Sequence, residues 1–184
     1  MALTPSNMMD LGTPAPDFSL PEPLTGRVHR RDGLLRAHGL LVAFICNHCP
    51  YVKHINPELV RVAQWALDHN IGVVFISSND ATKHPADGPE AMAQQARSLG
   101  YPAPYLYDET QEVARAFDAA CTPDFFLLDA DLKLYYRGRL DGATPGNDAP
   151  LNGEDLRAAL AELHAGMPAP EQQLPSKGCN IKWR

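Results

Sequence analysis

The sequence predicts an α/β fold, and three features carry that expectation. The runs 40–45 and 71–76 are apolar without alternation, the pattern of strands covered on both faces. Between them Val52, Ile55, Leu59, Val62, Ala63, Ala66 and Leu67 recur at helical spacing, which makes a β-α-β unit. Further on, 125–129 and 133–137 flank Ala130-Asp131 and read as an antiparallel hairpin, so the sheet is expected to be mixed.

The remaining elements follow in order. Gly12 to Pro16 punctuates a loop, after which 17–20 and 27–29 read as an entry hairpin. The long helix runs to His69, and Pro57 inside it predicts a kink. Residues 89–99 form a second helix with proline at its start, 105–107 a brief extended piece, and 111–117 a short helix leading to Cys121-Thr122-Pro123. Asn152 is placed as the cap of a last helix ending near His164, with Asp155 at its third position. From Met167 the chain has prolines and no period, so an irregular tail is expected, docked through Ile181 and Trp183. This gives one domain over 1–184, with a core of about 10–165 and a tail at 166–184.

Charge and composition narrow the function. Sixteen Lys and Arg stand against 22 Asp and Glu, a net charge of −6, and the basic residues are scattered, which argues against a nucleic-acid partner. No apolar run approaches a membrane span, and residues 1–13 lack the basic and apolar regions of a secretion signal. A cytoplasmic protein without a membrane partner is expected. Four cysteines are too few for a disulfide-stapled scaffold, so their spacing must assign their role.

Cys46-Asn47-His48-Cys49 lies between the first buried strand and the long helix. That position puts Cys46 at the helix N-terminus, where free N–H groups and the helix dipole favour a thiolate. Cys46 is therefore expected to be the exposed, low-pKa nucleophile and Cys49, one turn inside, the resolving thiol. His48 is expected to set the redox potential by stabilising the thiolate. Asp80, after the second strand, is a candidate proton relay to Cys49. Cys121 and Cys179 are candidates for additional redox roles, either paired with each other or, for Cys179, through exchange with the Cys46–Cys49 pair.

The order of elements, the Cys-x-x-Cys after the first central strand and Thr122-Pro123 before the late hairpin resemble the thioredoxin superfamily. Gly12-x-Pro14-Ala15-Pro16-Asp17-Phe18-Ser19-Leu20 resembles the opening of its peroxiredoxin and cytochrome-maturation-thioredoxin branch. The site and the tail are similar to cytosolic proteins called probable thiol-disulfide isomerases or thioredoxins, which carry Asn-x-Cys-Pro and a terminal Gly-Cys-x-Ile-Lys-Trp. The resemblance implies a central mixed sheet flanked by helices, with an N-terminal hairpin and a C-terminal tail. It also implies a cis proline at Pro123, with Thr122 and Pro123 binding extended substrate, and it carries the nucleophile to Cys46 and the resolving thiol to Cys49. The activity implied is thiol-disulfide exchange with disulfide-containing or dithiol proteins, coupled to a thioredoxin reductase or glutathione system, with no cofactor.

Two alternatives stand beside it. Both thiolates with His48 or His54 form a ligand set suited to copper or zinc, as in a metal chaperone or sensor on the same fold. A peroxiredoxin-type peroxidase is the weaker one, because the threonine and proline that such enzymes place before the reactive cysteine are here Ala43 and Gly39.

Overall fold

The structure is a computed structural model and describes residues 3–184. In chain order the elements are β1 (Leu3–Pro5), β2 (Ser19–Pro21), β3 (Val28–Arg30), α1 (Arg31–Leu34), β4 (Gly39–Phe44), α2 (Pro50–Asp68), β5 (Ile71–Ser77) and α3 (Pro89–Leu99). They continue with β6 (Tyr105–Tyr107), α4 (Glu112–Ala116), β7 (Cys121–Thr122), β8 (Asp124–Leu128), β9 (Leu134–Gly138), α5 (Glu154–His164) and β10 (Lys177–Asn180).

The central sheet has five strands in the order β6-β5-β4-β8-β9, with β4, β5 and β6 parallel and β8 and β9 antiparallel. Every residue of β4 and β5 is buried, as their unbroken apolar runs require of strands covered on two faces. Alternate residues of β4 serve opposite sides: Leu41 and Ala43 join Val52, Ile55, Leu59 and Val62 of α2, Met92 of α3, and Leu156 and Leu160 of α5. Leu40, Val42 and Phe44 face Phe18, Phe117 and Phe126, with the Phe44, Phe117 and Phe126 rings meeting edge to face at 5.4–5.8 Å between centroids. This is a thioredoxin-like α/β fold, preceded by the β2-β3 hairpin.

Helix α3 begins at Pro89, and α2 accommodates Pro57 in its interior. The last helix is capped differently from expectation. Gly153, at φ 68°, is the cap residue, because only a left-handed turn brings the chain round at that point. Asn152 contributes instead through its side-chain oxygen, which accepts the Glu154 N–H at 3.1 Å.

The tail is the larger departure. It contains a strand, β10, that pairs antiparallel with β1 on one side and β7 on the other, making a second, three-stranded sheet. Its residues, Lys-Gly-Cys-Asn, have neither apolar alternation nor β propensity, so nothing in the side chains announces it. Backbone pairing and close approach form it instead. A Cβ on Gly178 would lie 2.0 Å from the Thr122 carbonyl oxygen, so only glycine lets the two strands meet. Docking through the terminal apolar residues follows expectation: Ile181 is buried in the second core, and the Arg115 guanidinium sits 4.4 Å from the centre of the Trp183 ring.

Replacing Gly178 with Val is expected to displace the tail and cost about 1–3 kcal/mol, the usual range for an enforced overlap. Limited trypsin digestion reads this directly: cleavage at Lys177 and Lys182 should accelerate in the variant while the central domain survives. Unchanged cleavage and an unchanged melting temperature would show that the close approach is dispensable.

Candidate active site

The dithiol lies in the short loop between β4 and α2. The helix begins at Pro50, and the residue that caps it is Cys49, not Cys46. Proline suits the first helical position, where its missing N–H costs nothing, and it shifts the helix start three residues beyond the expected one. Cys46 precedes the helix in the loop, and both cysteines are fully buried, so the expected exposed Cys46 is not observed.

Two segments hold this loop. The Cys46 Sγ is 3.5 Å from the Thr122 hydroxyl, and the Cys49 Sγ is 3.3 Å from the Thr122 carbonyl oxygen, with the Thr122-Pro123 peptide in the cis form. From the other side, the fully buried carboxylate of Asp87 accepts the backbone N–H groups of Asn47 at 2.7 Å and His48 at 3.1 Å. Its second oxygen pairs with His48 Nδ1 and accepts the Asn79 side-chain amide at 2.9 Å. Tyr105 donates its hydroxyl to Asn47 Oδ1 at 2.9 Å. Asp87 was not legible as a site residue, because Pro-Ala-Asp-Gly-Pro reads as an ordinary turn forty residues from the dithiol.

Asp87 changes the electrostatics that helix position alone implies. It accepts the Asn47 and His48 N–H groups and sets a negative charge beside the Cys46 thiol. The Cys46 pKa is raised, first by its hydrogen bond to Cys49, then by burial and by the Asp87 charge. Cys49 is correspondingly pulled down to about 4, chiefly by the hydrogen bond from Cys46, with further help from the Cys179 thiol and against the effect of burial. Of the two sulfurs, Cys49 is therefore the one whose ionisation the surroundings favour. His48 also differs from expectation: its ring nitrogen is taken by Asp87 and its ring stacks on His84, 5.1 Å between centroids, so its hydrogen bond does not go to a thiolate.

Asp80 is not placed as a relay to Cys49. Its carboxylate accepts from the Thr82 hydroxyl at 2.6 Å and pairs with Lys83 and Arg184, each at 3.7 Å, while its N–H binds the Lys182 carbonyl and so anchors the tail. Cys121 is buried beneath Pro123, its thiol 3.6 Å from the Pro123 carbonyl, and desolvation raises its pKa. Cys179 lies at the centre: its Sγ is 2.7 Å from the Cys49 Sγ. Cys46, His48 and Asp87 offer one donor atom each within 4.8 Å of one another. Both Asp87 oxygens already accept N–H groups, so this cluster is wired as a hydrogen-bond network and leaves a metal no free carboxylate.

The AhpC/TSA family model matches residues 11–137, a span that includes Cys46, Cys49, Thr122 and Pro123. The chain belongs to the AhpC/TSA family. Within the thioredoxin superfamily it is similar to an uncharacterized conserved protein from Geobacillus kaustophilus, at 52% identity over 100% of this chain and 97% of that one, with a TM-score of 0.98. A hypothetical protein from Sinorhizobium meliloti 1021 is 43% identical over 98% of each chain, with a TM-score of 0.95. The thiol:disulfide interchange protein DsbE of Allochromatium vinosum is 26% identical over 167 residues, 89% of this chain and 82% of that protein.

For this AhpC/TSA protein the charge on Cys49 is open to titration. In the reduced protein, thiolate absorbance at 240 nm should persist well below pH 7 and disappear with a midpoint near pH 4. Cys49→Ser should abolish it, and Cys46→Ala, which removes a donor, should raise the midpoint. The linkage has a definite sign, since the folded value lies below the ordinary 9.0. The stability it contributes is complete above pH 9, declines as the pH falls and is gone below about 4. A midpoint between 8 and 9, as in free thiols, would contradict this account.

Proposed function

We propose that the protein is a thiol-disulfide oxidoreductase that works through the Cys46-Asn47-His48-Cys49 dithiol. The observation that carries this reading is the meeting of both sulfurs with Thr122, whose hydroxyl faces Cys46 and whose carbonyl faces Cys49 beside the cis proline. Cys46 is the nucleophile. Its proton passes along the hydrogen bond to the Cys49 thiolate, which acts first as a base, and the Cys46 thiolate then attacks a partner disulfide. The partner's leaving sulfur departs as a thiolate and takes up a proton. Cys49 then loses its proton and attacks the Cys46 sulfur of the mixed disulfide, closing the Cys46–Cys49 bond and releasing the second partner thiol.

His48 and Asp87 act by position. Their network fixes the loop, and the Asp87 charge beside Cys46 favours its thiol form. A cavity of about 360 Å³ opens beside Pro123, lined by Tyr51, Ile55, Arg139, Leu140 and Ser176, and offers room for the partner's side chains. The partners are disulfide or dithiol proteins, with electrons exchanged against glutathione or a thioredoxin reductase, and the cysteines carry those electrons without a cofactor.

Turnover of an aromatic disulfide with dithiothreitol as reductant tests the reading. Cys46→Ser and Cys49→Ser should each lower kcat/KM on the order of 100-fold or more, and the double variant should lose little beyond either single one, because the thiols act as a unit. A wild-type protein whose reduced dithiol fails to exchange with this disulfide or with oxidised glutathione would overturn it. Peroxide should oxidise the protein at the rate of an ordinary thiol, because Ala43 and Gly39 are buried strand residues that present no hydroxyl to a peroxide. Fast peroxide turnover would favour the peroxidase reading instead.

A further inference from the structure

We infer that Cys179 is a third thiol of the redox centre, and that an oxidised Cys46–Cys49 pair passes its disulfide to Cys49–Cys179, locking the seated tail in place and freeing Cys46. The inference rests on the dithiol reading above and adds to it a resident occupant of the substrate-binding edge.

Three independent observations place Cys179 there. Its sulfur is 2.7 Å from the Cys49 sulfur. The register of β10 sets Cys179 opposite Thr122 and Asn180 opposite Cys121, so the tail adds a strand to the edge beside the cis proline. That is the mode by which an extended partner chain would be held, here supplied by the protein itself. Finally, the tail is fixed on both flanks of Cys179. Ser176 donates its hydroxyl to the Pro123 carbonyl at 2.6 Å, and Ile181 donates its N–H to the Ala120 carbonyl at 3.2 Å. Lys182 donates its N–H to Asn79 Oδ1 at 2.9 Å, and its carbonyl accepts from the Asp80 N–H and the Gln111 amide. The same Asn79 donates to Asp87, so the tail and the dithiol loop share one bridging side chain.

Cys121 is excluded from this exchange by geometry. Neighbouring residues of a strand face opposite sides, and with Cys179 paired to Thr122, the Cys121 side chain turns the other way, toward the Pro123 carbonyl.

The exchange is internally balanced. The Cys179 sulfur, as its thiolate, attacks the Cys49 sulfur of the Cys46–Cys49 disulfide; the new Cys49–Cys179 bond forms and the old bond breaks. The electron pair leaves on Cys46, which takes up the proton that Cys179 gave up, with the Thr122 hydroxyl 3.5 Å away as donor to the new thiolate. No oxidant enters, since the partner disulfide has already supplied the oxidation. In the reduced state Cys179 is kept protonated, its pKa pushed up to about 12 by burial and then by its contact with Cys49. The second cause vanishes when Cys49 is held in a disulfide, so Cys179 becomes a better nucleophile at the moment it has something to attack. In the product the tail that already fills this edge is held covalently, and its release requires reduction of the Cys49–Cys179 bond.

Peptide mapping of the full-length protein decides the matter. Reduced protein is oxidised with a slight excess of dithiobis(nitrobenzoate), free thiols are blocked with N-ethylmaleimide at mildly acid pH, and trypsin digestion follows without reductant. Cys46 and Cys49 fall in peptide 37–53 and Cys179 in 178–182. The expected major species is 37–53 linked to 178–182 with one maleimide on Cys46, at least as abundant as the looped 37–53 peptide. In Cys46→Ala the same link should form directly. A looped 37–53 with Cys179 blocked as the main product, or a maleimide on Cys49 in the linked species, overturns the inference and leaves the dithiol reading intact. Oxidised protein with no disulfide at 37–53 overturns both.

Discussion

The antiparallel pairing of β10 with Cys121-Thr122 is the contact on which the rest of the site depends. It brings the Cys179 sulfur to the Cys49 sulfur, deep in a loop whose two thiols are buried, and supplies one of the donors that favour charge on Cys49. Its formation requires glycine at 178, because the Thr122 carbonyl occupies the space of a side chain. A backbone interaction, with little contribution from side-chain hydrophobicity, thus brings a third thiol to the dithiol and favours ionisation of Cys49. The loop contacts of Asn79, Asp80 and Gln111 with Lys182 have the same origin, since they exist only while the tail is seated.

Beneath that strand, a buried carboxylate controls the loop. Leaving Asp87 uncompensated in the interior would be costly, and the structure answers with two backbone N–H groups, a histidine ring and an amide. The same four contacts divert the donors that a dithiol nucleophile ordinarily draws upon. Cys46 is consequently a thiol in the reduced protein, and its activation runs through Cys49. Burial, hydrogen bonding and charge act together here, and the sign of the result differs from what helix position alone implies.

The central fold was legible because its signals are periodic and local. The bare apolar runs gave β4 and β5, helical spacing gave α2, and Pro89 with the apolar positions after it gave α3 at its observed limits. The dithiol was legible from its spacing and the Thr122-Pro123 turn from the family resemblance, and the structure brings them into contact. What could not be read is non-local. Asp87 sits in a turn whose composition says only that the chain bends, and its role depends on a loop forty residues earlier in sequence. β10 carries no strand signal, since its pairing comes from a small residue that permits close approach. Cys49 as cap followed from Pro50, whose preference for the first helical turn sets the helix start beyond the Cys46 position expected from the motif's place after the strand. Cys179 was singled out by its anchored surroundings, and its partner among the other thiols became clear only from the register.

The claim that the tail governs access to the dithiol is tested most directly by the rate at which iodoacetamide modifies Cys46 and Cys49 in the reduced, full-length protein. In the wild type both thiols are buried and Cys49 lies against Cys179 of β10, so modification should be far slower than for a free thiol of the same ionisation. It should accelerate by at least an order of magnitude in Gly178→Val, in step with loss of tail protection in hydrogen exchange. Modification of the wild-type dithiol as fast as in an unstructured peptide, or equal rates in the two proteins with the tail demonstrably released, would contradict the account.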